Sequence, residues 1–150
     1  MGRRLTGPER REEAQLKRLP ESENALVLRT DFSDDAAWER LCAAVREPRG
    51  EFQAYVEFVS DRQYEGLTPE HVLSQDSHPT FIFLADRVAL SHPDQPILVV
   101  DLCDEPGRTF RVIPSAMWSV ENNLSLANMD FAEFADSVDP DGVFREFPAG

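Results

Sequence analysis

Apolar and polar positions alternate along this chain in blocks that switch period. Ala25–Thr30 (ALVLRT) is a short apolar run and predicts a first strand. Asp31-Phe32-Ser33 follows as a turn. Ser33 then offers an N-cap, with Asp34 and Asp35 set against the positive end of a helix dipole. Trp38, Leu41, Cys42 and Val45 recur at i, i+3, i+4 and i+7, which is one apolar face of a helix ending at Pro48-Arg49-Gly50. Phe52–Val59 (FQAYVEFV) alternates as a second strand, with Val56 and Phe58 on one side. Thr68-Pro69-Glu70 starts a short helix that ends near Gln75. Thr80–Ala85 is continuously apolar, as expected of a strand covered on both faces.

Ile97–Leu102 and Thr109–Ile113 predict a fourth and a fifth strand. Between them Pro106-Gly107 suits the centre of a type II turn, which argues a hairpin. Pro114 opens a helix through Trp118, Val120 and Glu121. Asp130 with Glu133 forms a capping-box pattern, and Phe131, Phe134, Ala135 and Val138 give the stripe of a last helix. Val143, Phe144 and Phe147 close the pattern as an apolar clasp. The predicted fold is α/β: a mixed five-stranded sheet flanked by helices, in the order β-α-β-α-β-β-β-α-α. Helical crossovers make the first three strands parallel. The link from Asp86 to Pro96 is near the minimum length for a crossover, so the direction of the fourth strand stays open.

Charge divides the chain. Residues 1–20 hold six basic and three acidic residues, a net +3, whereas the whole chain carries −13, leaving −16 on residues 21–150. We read residues 1–22 as a basic tail and residues 23–150 as one acidic domain. An acidic domain repels nucleic-acid phosphates and anionic membranes and favours basic partners, metal ions or plain solubility. The pattern shows neither an apolar run of membrane-spanning length nor a secretory signal. Two cysteines, Cys42 and Cys103, form no CxxC, so the expected address is the cytoplasm with both thiols reduced.

Candidate chemistry is sparse. Asp31, Asp61 and Asp86 each fall just beyond a predicted strand. With parallel strands they share the carboxyl edge, where ligands of open α/β sheets bind, and could hold Mg²⁺. The competing reading is local, because aspartate after a strand caps helices and makes turns. The only lysine, Lys17, lies in the tail, which argues against receiver-like and haloacid-type phosphoryl transfer. Glycine-rich phosphate loops, a GxSxG elbow and histidine ligand spacing are all missing from the sequence. The stretch Trp118–Asp130 (WSVENNLSLANMD) stands out through Asn122, Asn123 and Asn128. Asparagine suits caps and turns, so these amides either finish the two C-terminal helices or line a recognition surface with Trp118.

LRTDFSDDAAW (Leu28–Trp38), ILVVDL (Ile97–Leu102) and NNLSLANMDFAEFA with DPDGVFREF (within Asn122–Phe147) together resemble a bacterial family of small acidic domains of unknown function. The resemblance spans roughly Leu26 to Phe147. It implies one complete domain and brings no activity, cofactor or ligand. Two functional expectations follow. One is a non-catalytic interaction module, immunity-like or an adaptor, that binds a basic protein through an acidic surface and needs no cofactor. The alternative is a Mg²⁺-dependent enzyme built on Asp31, Asp61 and Asp86.

Overall fold

β1 (Ala25–Arg29) runs between two parallel neighbours, β2 (Val56–Val59) and β3 (Phe81–Ala85), in a computed structural model that describes residues 18–147. β4 (Ile97–Asp101) lies antiparallel to β3, and β5 (Thr109–Val112) antiparallel to β4. β6 (Val143–Phe144) closes the sheet parallel to β5, giving the spatial order β2-β1-β3-β4-β5-β6. The α/β class and the parallel start are as the pattern predicts. The fourth strand, whose direction the sequence left open, is antiparallel.

The expected five strands are corrected to six, and the expected element order gains a helix. Helix α1 spans Asp35–Arg46, α2 Pro69–Leu73 and α3 Arg87–Ser91. Helix α4 spans Met117–Ser125 and α5 Phe131–Ala135. Short 3₁₀ turns lie at Arg62–Tyr64 and Pro114–Ala116. Helix α3 escapes the sequence pattern because a single helical turn is too short to show a period. β6 escapes because two residues look like a clasp until a partner strand is known.

Alternation along the strands builds two cores. Val27, Phe83, Val99, Phe110 and Phe144 face one side and pack with Trp38 and Leu41 of α1, Met117 and Val120 of α4, and Phe134 of α5. Leu26, Leu28, Ile82, Leu84 and Val100 face the other side and meet Tyr64, Leu67 and Val72. β3 is buried at all five positions, as its unbroken apolar run predicts. At the β4–β5 hairpin the Arg108 N–H donates to the Glu105 carbonyl at 2.9 Å, with Gly107 at φ 94°. That is the expected turn, and its positive φ explains the glycine. The N-terminal region expected to be a tail lies, for residues 1–17, outside the described residues. Arg18 and Leu19 are bonded to the domain: the Tyr64 hydroxyl donates to the Arg18 carbonyl, and the Leu19 N–H to Gln75. Among the described residues no helix is long and apolar enough to cross a membrane.

Candidate functional site

The three aspartates do reach one end of the sheet, since β2, β1 and β3 are parallel neighbours. Each is engaged locally. The Ser33 hydroxyl donates to Asp31 at 2.7 Å. Asp61 caps the first 3₁₀ turn, accepting the Gln63 backbone N–H at 3.0 Å and its side-chain amide at 2.8 Å. These two bonds hold the Asp61 carboxyl below its ordinary range, with the backbone donor the larger cause. Asp86 caps α3 through the Ala89 N–H and receives both Arg111 nitrogens, at 2.9 and 2.7 Å. Among the described residues no three His, Cys, Asp or Glu side chains are placed to hold one metal ion.

The same edge carries a buried cation. Arg29 ends β1 and is 3% exposed. Its Nε donates to the Asp31 carbonyl at 2.8 Å and its Nη2 to Asp35 at 2.7 Å. The guanidinium lies 4.4 Å from the Phe32 ring centroid and 5.7 Å from that of Trp38. This arrangement ties β1 to the first turn of α1, where Asp34 caps the helix by accepting the Ala37 N–H. It reads as a structural clamp. Cys42 belongs to the core below, where burial pushes its thiol up to about 11 and keeps it protonated.

The asparagine-rich helix builds a different surface. Trp118, Asn122 and Leu126 follow at i, i+4 and i+8 and share one face. The segment Arg49–Tyr55 lies along that face. Phe52 stacks on Trp118 with ring centroids 4.4 Å apart and planes 17° apart. The Asn122 side-chain amide donates to the Gln53 carbonyl at 3.0 Å. Glu121, 3% exposed, accepts the Tyr55 N–H at 2.6 Å, the Ser125 hydroxyl at 2.6 Å and the Asn122 amide at 2.9 Å. Three donors satisfy this buried carboxylate without a cation among the described residues.

The predicted second strand is corrected here. It begins at Val56, not Phe52. Gly50, at φ 64°, folds Arg49–Phe52 into a tight turn closed by an Arg49–Phe52 bridge, and the Phe52 ring is drawn onto Trp118. Of the four residues singled out on the asparagine-rich stretch, Trp118 and Asn122 come together on the shared face. Asn123 instead donates to the Ser119 carbonyl one turn back. Asn128 lies past the helix end, where its N–H donates to the Asn123 carbonyl at 2.9 Å. The sequence reading missed Phe52, Tyr55 and Leu126 as surface groups, although they are 50%, 60% and 70% exposed. It also missed Glu121 as the acceptor that fixes the Tyr55 main chain. Its partner Tyr55 lies 66 residues away, and no local pattern encodes that pairing.

The fold and site together are a mixed α/β domain with locally clamped carboxylates and an aromatic–amide face. The chain belongs to the family described as Domain of unknown function (DUF6924), whose profile matches residues 24–147. No curated protein matches it.

Proposed function

We propose that this domain is a non-catalytic cytoplasmic interaction module that docks a basic protein on the face built by Arg49–Tyr55 and α4. The observation that carries the reading is the pair of exposed aromatic side chains there, Phe52 and Tyr55, with Phe52 stacked on the partly buried Trp118. Aromatic side chains are enriched in protein interfaces, and a rigid aromatic pair is an efficient anchor. The surrounding domain supplies the steering: −16 on residues 21–150 accelerates encounter with a basic surface and repels anionic ones. Asn122, with its amide already donated to Gln53, keeps the aromatic segment in register with the helix.

The test is affinity capture from native lysate with the full chain and with a Phe52→Ser/Tyr55→Ser double variant, at low and high salt. A basic protein retained only by the parent chain at low salt, and rebound when both proteins are purified, supports the reading. Identical captured sets from parent and variant overturn it.

A further inference from the structure

β2 is the outermost strand on its side of the sheet, and its far edge has no neighbour among the described residues. Which backbone groups point outward follows from one hydrogen bond. The Thr30 N–H donates to the Ala85 carbonyl of β3 at 3.0 Å, so even-numbered residues of β1 turn their polar groups toward β3. Odd-numbered residues then face β2. In a parallel ladder with Val27 opposite Phe58, Val27 bonds to Glu57 and Val59. The N–H and carbonyl groups of Val56 and Phe58 are thereby left pointing away from the sheet. Such an edge is a template for an added strand.

The side chains along the edge define what would be added. Val56 and Phe58 lie on one face and are partly exposed, with the Arg46 guanidinium 4.6 Å from the Phe58 ring centroid. Glu57 lies exposed on the opposite face. From Glu47 to Glu65 the chain carries five acidic residues, all exposed, against two basic ones, Arg49 and Arg62. Arg46 disfavours a cation on the Phe58 face, whereas Glu57 favours one on its own face, since opposite charges paired across strands stabilise a sheet. Self-pairing would bring together two chains of net charge −13. We propose that the free edge of β2 accepts an extended segment of a basic partner as a seventh strand, with basic residues alternating with apolar ones. This rests on the interaction reading above and places the partner's main chain beside Phe52 and Tyr55.

A capped hexapeptide alternating arginine and valine serves as the probe, titrated into the ¹⁵N-labelled full chain. Two controls accompany it: the glutamate–valine counterpart, and an arginine–valine peptide N-methylated at alternate amides. The N-methylated peptide is made in both registers and keeps charge and side chains while losing main-chain donors. The expected result is binding of the arginine–valine peptide with slowed amide exchange at Val56 and Phe58. N-methylation in one register should weaken it about tenfold or more. Val56→Pro, which removes one outward N–H and leaves the β1 ladder intact, should weaken it similarly. Equal binding of the N-methylated peptides, or binding without protection at Val56 and Phe58, overturns strand addition and leaves the interaction reading standing. No binding of the arginine–valine peptide also overturns it, while the capture experiment decides the wider reading separately. Concentration-dependent protection of the same amides without peptide assigns the edge to a second copy and overturns the basic-partner proposal.

Discussion

Glu121 holds the main chain that carries the proposed surface. Its buried carboxylate fixes the Tyr55 N–H, and so sets where the chain leaves the Phe52–Trp118 stack and enters β2. Glu121→Ala would leave that N–H and the Ser125 hydroxyl without their acceptor. A lost buried partner costs about 1–3 kcal/mol, so the midpoint of urea unfolding should fall accordingly. Glu121→Gln keeps one acceptor oxygen and should fall less. The Tyr55 amide should exchange faster in Glu121→Ala than in the parent, which separates loss of this bond from general destabilisation. Residue identities at this scale were partly legible. Trp118 and Asn122 stand out because an indole and paired amides are unusual on a short helix. Glu121 does not, because glutamate on a helix ordinarily faces water and only its distant partner explains its burial.

The elements were legible where length or a cap motif marked them, as at Thr68-Pro69 for α2 and Asp130 with Glu133 for α5. Helix α1 showed its face over twelve residues, and β3 showed an unbroken apolar run. Helix α3 and β6, with five and two residues, exist through tertiary contacts that no local pattern carries. Asp86 illustrates the point: it reads as a cap or turn residue and does cap α3, but its bond to Arg111 of β5, 25 residues on, is carried by no local pattern. The end of α4 holds a testable departure from local preference. The Ala127 N–H donates to the Leu124 carbonyl and the Asn128 N–H to the Asn123 carbonyl, a Schellman closure. The residue at its left-handed position, φ 55°, is alanine where glycine is the favoured choice. Ala127→Gly removes the Cβ clash and should stabilise the protein by up to about 1 kcal/mol, read as a raised denaturation midpoint. A lowered midpoint would show that the Ala127 methyl makes a packing contribution greater than its backbone strain.

For the whole molecule, the charge asymmetry is plain in the sequence, but the surface is not. Its two halves, Arg49–Tyr55 and α4, lie more than sixty residues apart, and they meet through the Glu121–Tyr55 and Asn122–Gln53 bonds above a core that Met117 and Val120 share. The same asymmetry gives salt opposite effects on folding and binding. Screening weakens the self-repulsion of a chain with net charge −13, so its melting temperature should rise from low to physiological ionic strength. Screening also weakens attraction to a basic partner, so affinity should fall over the same range. Mg²⁺ separates this general effect from a specific site. With Asp31 bonded to Ser33, Asp61 to Gln63 and Asp86 to Arg111, magnesium chloride should stabilise no more than sodium chloride at equal ionic strength. An excess shift that saturates with Mg²⁺ and disappears in Asp31→Asn would mean that these bonds yield to an ion, and would return the carboxyl edge of the sheet to consideration as a metal site.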